Sequence, residues 1–104
     1  MSQKTMRDAS NEALHQAMAE DDSVFVIGED VAGCQGSPSG KVGEVGGVFG
    51  VTSGIYKRFG PDRCIDTPIS ENSFTGIGVG ASMAGLRPII EIMSINFALL
   101  ALDT

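Results

Sequence analysis

Between Thr5 and Glu20 the apolar positions Met6, Ala9, Ala13, Leu14, Ala17 and Met18 recur at three- and four-residue spacing, which predicts an amphipathic helix. Thr5 with Asp8 three positions on has the form of a capping box, and Asp21 and Asp22 close the segment. The period then changes. "SVFVIG" at 23–28 is a continuous β-branched and aromatic run, the pattern of a strand covered on both faces. "VTSGIYKRFG" at 51–60 predicts a short helix ended by Gly60 and Pro61, and "RCIDT" at 63–67 a second strand. Residues 71–85, "ENSFTGIGVGASMAG", predict a helix stopped by Gly85. "RPIIEIM" at 87–93 predicts a third strand, and "NFALLALD" opens a fourth helix.

Strands alternating with helices predict an α/β fold, a parallel sheet flanked by helices with right-handed crossovers. In such sheets ligands collect beyond the carboxyl ends of the strands. The stretch 28–47 holds seven Gly, one Pro and two Ser, so it is expected as a long loop, either a flexible surface loop or one lining a site. It contains neither G-x-G-x-x-G after the strand nor G-x-x-x-x-G-K-[ST], so no known phosphate loop is supported.

Composition narrows the function classes. The 104 residues, 42% hydrophobic, make one domain at most. Net charge is −6 and the seven Lys and Arg are scattered, which argues against nucleic-acid binding. No apolar run reaches the ~20 residues of a membrane helix. The polar start "MSQKTMRDAS" lacks an apolar signal core, and the expected location is cytoplasmic. Cys34 and Cys64 form no C-x-x-C and there is one His, so two reduced thiols are expected and no metal site. His15 reads as a surface residue, and Arg87 as an ion-pair partner of Glu91 or Asp66. The closing "INFALLALDT" is rising into an apolar pattern where it stops, which suggests a fragment or an end covered by a partner.

The stretch with most chemistry is "DTPISENSFTG" at 66–76. Pro68 bars a helix from running through Thr67, Ser70 is a good N-cap, and Glu71 falls in the first helical turn, where the helix dipole favours a carboxylate. Taken alone, Glu71 reads as a surface residue helping a helix begin. Gly76, Gly80 and Ala84 then follow at spacing four, with Gly78, Ala81 and Gly85 nearby. Each glycine costs ~1 kcal/mol in a helix interior relative to Ala, so the smooth strip implies close approach of another helix, another subunit or a ligand.

These residues carry a resemblance. "GEDVAG", "GGVFGVTSGIYKRFGPDRCIDTPISENSFTGIGVGASMAGLRPIIEIM" and "NFALLALD" resemble the beta subunit of thiamine-diphosphate-dependent 2-oxo acid dehydrogenases. The resemblance runs from about residue 5 to the end and covers residues 1–104 as the N-terminal part of that family's pyrimidine-binding domain; the rest of that domain and the C-terminal transketolase-like domain are absent. The family pattern, Glu, four residues, then G-Φ-x-x-G-Φ, reads here as Glu71 followed by Gly76-Ile77-x-x-Gly80-Ala81; Ala84 stands where broader versions end in Gln.

The resemblance implies thiamine diphosphate as cofactor and Glu71 as the catalytic residue that hydrogen-bonds a nitrogen of its aminopyrimidine ring. Ile69, Phe74 and Ile77 would supply the low-dielectric surroundings that such a carboxyl needs. It implies Ile69, Met93 and Phe97 as ring contacts, although Met93 and Phe97 by themselves read as ordinary core. Gly76, Gly80 and Ala84 would pack across a subunit interface. The diphosphate and its Mg2+ would be held mainly by an alpha subunit through a G-D-G … N motif that this chain lacks. Implied partners are that alpha subunit, a second beta subunit in a heterotetramer, and the lipoyl-bearing acyltransferase core. Pyruvate, acetoin and branched-chain 2-oxo acids all remain open as substrates, with pyruvate slightly ahead, and a non-catalytic association module is the reading from a different class.

Overall fold

The computed structural model describes residues 2–33 and 46–104. The elements run α1 (Met6–Glu20), β1 (Val24–Glu29), α2 (Ile55–Phe59), β2 (Cys64–Thr67), α3 (Glu71–Met83), β3 (Arg87–Glu91) and a 3-10 helix (Ile95–Ala101). The three strands form one parallel sheet in the order β2-β1-β3. The expected α/β architecture is present, and β1 lies between its neighbours with five of its six residues buried.

The unbroken apolar run of β1 has a direct cause. Successive side chains of a strand point to opposite faces. Val24 and Val26 join Met18, Ile55 and Cys64 on the α1–α2 side, while Phe25 and Ile27 meet Phe74 of α3 on the other. Both faces are covered, so neither alternate set can be polar.

Helix α1 begins as its sequence dictates: the Thr5 hydroxyl accepts the Asp8 N–H at 3.1 Å. The Asp8 carboxylate pairs with Arg7 at 2.7 Å. The C-terminal end is finished from a distance. Arg63, just before β2, donates to the carbonyls of Met18, Asp21 and Val24 at 2.7, 2.8 and 2.8 Å. A planar guanidinium can address several carbonyls at once, and a lysine ammonium on its flexible stem cannot reproduce the fork. Arg63→Lys is therefore expected to lower stability by about 1–2 kcal/mol, read as a lower urea midpoint; an unchanged midpoint would contradict this capping role.

Several expectations are corrected. The helix at 51–60 is a string of turns up to Gly54 followed by the single turn and a half of α2. Ser70 precedes α3 without capping it, because its hydroxyl donates to the Pro68 carbonyl at 2.9 Å. β3 ends at Glu91, two residues early. The closing helix is 3-10, not α: it rests on α3 through the buried Ala101 while Ile95, Leu99 and Leu100 are exposed, so little apolar packing favours the longer-range ladder. Met6 is 87% exposed, not on the buried face. The alanines of that face leave a groove of about 480 Å3 bounded by Ala13, Leu14, Ala17, Ile89 and Ile92.

Arg87 pairs with Asp21 at 3.3 Å rather than with Glu91 or Asp66. The register explains this: Arg87 lies opposite Val24 at the amino edge of the sheet, whereas Glu91 and Asp66 flank Gly28 at the carboxyl edge. His15 is half-buried, not free on the surface. Its Nε2 donates to the Ser53 carbonyl at 3.1 Å and its Nδ1 accepts from Arg58 at 3.2 Å. Together with Asn11, which donates to the carbonyls of Val51 and Ser53 at 2.7 and 2.9 Å, it fastens the chain before α2 to α1. Cys64 is a free, buried thiol that burial, and then Asp66, push from 9.0 up to about 12, which leaves it inert near neutrality. Cys34 and most of the expected 28–47 loop lie outside the described residues.

Candidate functional site

In a parallel sheet all carboxyl ends share one edge. Here Glu29 of β1 stands beside Thr67 of β2, and Gly28 beside both Asp66 and Glu91 of β3. The chain leaving β2 passes Pro68, Ile69 and Ser70 and enters α3 at Glu71. The sheet edge and the start of α3 therefore converge, and the chemistry-bearing residues are found there.

Glu71 is the first residue of α3 and only 8% exposed. Unpaired N–H groups and the helix dipole at this end favour a carboxylate. Among the described residues its carboxylate accepts no hydrogen bond. At 8% exposure the residue is not the free surface glutamate of the simple reading, and its carboxylate remains open to a ligand.

Sequence reasoning missed two acidic neighbours. Desolvation raises the proton affinity of Glu29, and the charges of Asp30 and Glu71 add to it. Desolvation does the same for Glu91, with Glu29 adding to it. The charges of Asp30 and Glu71 thus bear on Glu29, and that of Glu29 on Glu91, along one edge of the sheet. The signal in the sequence was a Glu ending each apolar strand, "VFVIGE" and "RPIIE", at the edge where ligands gather. An acid whose folded proton affinity is raised contributes stability at low pH and loses it as pH rises. Glu29→Gln is accordingly expected to raise the melting temperature at pH 7.5 relative to wild type and to give no such gain at pH 4. Equal shifts at both pH values would count against the electrostatic reading.

The remaining predicted residues are distributed as follows. Ile69 is 76% exposed in the β2–α3 connection, Met93 is half-buried just past β3, and Phe97 is 36% exposed in the 3-10 helix. Of the apolar neighbours expected to keep Glu71 dry, Phe74 is buried, while Ile69 and, at 56%, Ile77 are open. Beside β2 and α3 lies a groove of about 420 Å3 lined by Ile27, Ile65, Thr67, Phe74 and Ile77, and the buried Thr67 hydroxyl has no partner.

The glycine strip faces away from the sheet. Gly80 and Ala84 are exposed, a Cβ on Gly80 would meet nothing within 4 Å, and one on Gly76 would meet only the Thr104 methyl at 3.7 Å. Close approach within the chain comes from Gly78, where a Cβ would lie 2.3 Å from Ile90 Cδ1. The outward strip, with Val79 and Met83 exposed beside it, remains open to a partner.

A family model described as the transketolase pyrimidine-binding domain matches residues 2–103. The chain belongs to that family. It is 48% identical over 99 residues to a protein of Dictyostelium discoideum named pyruvate dehydrogenase E1 component subunit beta, mitochondrial, covering 95% of this chain and 25% of that protein. The Rickettsia conorii pyruvate dehydrogenase E1 component subunit beta is 48% identical over 101 residues, 97% of this chain and 28% of that one. The Drosophila melanogaster mitochondrial counterpart is 46% identical over 101 residues, covering 97% and 25%. The chain thus spans about a quarter of the length of these relatives and represents the N-terminal part of the pyrimidine-binding domain. Among the described residues no cluster of His, Cys, Asp and Glu is arranged to hold a metal ion, and no helix is long and apolar enough to cross a membrane.

Proposed function

We propose that the protein containing this chain is the beta subunit of the decarboxylating component of a 2-oxo acid dehydrogenase complex, with pyruvate as substrate and thiamine diphosphate as cofactor. The observation that carries the reading is the Glu71 carboxylate, 8% exposed and without a hydrogen-bond partner among the described residues, at the helix start of a pyrimidine-binding family.

The cofactor supplies a nucleophilic thiazolium carbon and an electron sink. Glu71 would hold the cofactor's pyrimidine through a hydrogen bond to a ring nitrogen, and a carboxyl there would favour the imino form of the neighbouring amino group. Met93, Phe97 and Ile69 present apolar surface to the flat ring, and the exposure of Ile69 and Phe97 in the single chain is what a ligand or partner would cover. An alpha subunit holds the diphosphate and most of the Mg2+ coordination. Gly76, Gly80 and Ala84 pack against a second beta subunit, giving a heterotetramer that delivers the acyl group to a lipoyl-bearing acyltransferase core. The cytoplasmic location expected from the sequence goes with this reading.

Calorimetric titration of thiamine diphosphate tests it: tight binding is expected only when the full-length beta subunit is combined with its alpha partner. Comparable affinity of the beta subunit alone would overturn the shared-site arrangement. Turnover of pyruvate, acetoin and branched-chain 2-oxo acids by the assembled enzyme then decides the substrate, with pyruvate expected to give the highest kcat/KM.

A further inference from the structure

β1 ends on Glu29, and the chain turns at once through Asp30, the one non-glycine residue with positive φ, 57°, among those described. A left-handed conformation at such a residue is held only when its surroundings over-determine it. Here they do. The Asp30 carbonyl accepts the N–H groups of Gly33 and Gly47 at 3.0 and 2.9 Å. The Val31 carbonyl accepts the buried Thr52 hydroxyl at 2.7 Å. The Ala32 N–H donates to the Asp66 carboxylate at 2.6 Å.

The last of these bonds differs from the others. The Gly33, Gly47 and Thr52 bonds tie the turn to its own loop. Asp66 sits in β2, opposite Gly28 in the register, and β2 is the strand that leads through Pro68–Ser70 into Glu71. Its bond to Ala32 therefore joins the turn that carries Glu29 to the segment that carries Glu71. A carboxylate accepting a backbone N–H at this distance is a strong, directional link. Val31 and Ala32 are 0% and 1% exposed, so the donor side of the bond is shielded, while Asp66 is half-buried.

We propose that Asp66 is a positioning residue for the Glu71 carboxylate: by accepting the Ala32 N–H it locks the Glu29 turn to the strand entering α3 and fixes the spacing of the two acids. The inference rests on the cofactor role proposed for Glu71. Loss of the link would leave substrate contacts in place while letting Glu71 drift from its productive geometry, and displacements near 1 Å at a reacting group cost on the order of 100-fold in rate.

The test uses the full-length beta subunit assembled with its alpha partner. Asp66→Ala is expected to lower kcat by about 10–100-fold with KM for the 2-oxo acid changed less than about threefold. In the cofactor-free assembly, amide hydrogen exchange across residues 29–33 is expected to rise at least about tenfold. Asp66→Asn keeps an oxygen acceptor, and is expected to restore both readouts to within about threefold of wild type. Should Asp66→Ala fail to assemble, Asp66→Glu, which keeps the charge and moves its oxygens one methylene, replaces it with the same expectations. Faster exchange with unchanged kcat, or no rescue by Asn, overturns the proposal. If Glu71→Gln is itself fully active the cofactor reading fails; if Glu71→Gln is inactive and Asp66→Ala is normal, only the Asp66 inference fails.

Discussion

Glu71→Gln is expected to abolish decarboxylation, lowering kcat by at least about 100-fold, while the alpha–beta assembly forms normally. Glutamine keeps the length and shape of the side chain, so the start of α3 and its packing through Phe74 are undisturbed. What it removes is the exchangeable proton. Glu71→Asp keeps the proton and shortens the reach by one methylene, and is expected to retain partial activity. Steady-state turnover with saturating cofactor, together with size-exclusion analysis of the assembly, makes the comparison. Full activity of the Gln variant would remove the role assigned to the carboxylate, because no other group at the sheet edge combines its burial with its position at the helix start.

Gly28→Ala is expected to be strongly destabilising, at about 3 kcal/mol. A Cβ there would lie 2.6 Å from the Glu91 carbonyl oxygen, 3.1 Å from Glu91 Cβ and 3.2 Å from Val31 Cγ1. The first of these is backbone of the adjacent strand in the ladder, and cannot swing aside. The sheet must open between β1 and β3, where Gly28 stands opposite Glu91. Gly78→Ala is the informative contrast. Its Cβ would lie 2.3 Å from Ile90 Cδ1 and 2.7 Å from Ile90 Cγ1, both side-chain atoms that a change of rotamer can move, and the helix gains ~1 kcal/mol of propensity. Chemical denaturation should show a clear loss for Gly28→Ala and a much smaller one for Gly78→Ala. Equal losses would mean that the close approach of β1 and β3 is not the constraint.

The element order was legible because each segment announced its period. β1 read correctly as a doubly covered strand, since Val24 and Val26 on one face and Phe25 and Ile27 on the other all had to be apolar. The capped start of α1 and the stop of α3 before Gly85, at φ +95°, were likewise local matters. The last helix misled because "NFALLALD" has helical composition, and composition alone does not choose between a 3-10 and an α ladder. Arg87 misled for a different reason: its partner depends on which edge of the sheet it occupies, and Asp21 is 66 residues away in sequence by subtraction of their numbers.

At the site the division is similar. "DTPISE" marked Glu71 and its position at a helix start, because Pro68 and the change of hydrophobic period are properties of consecutive residues. That Glu71 is buried, that Glu29 stands near it with Glu91 beyond, and that Asp66 reaches Ala32 across 34 positions, were decided only when three parallel strands aligned their carboxyl ends. The same holds for the glycines, whose count was plain in the sequence but whose roles separated by direction, Gly28 and Gly78 inward and Gly80 outward. Sequence by itself determined the order of strands and helices, because propensity and periodicity are local. The tertiary structure alone decided burial, ion pairing and the company each carboxylate keeps, because those follow from register and packing between segments distant in the chain.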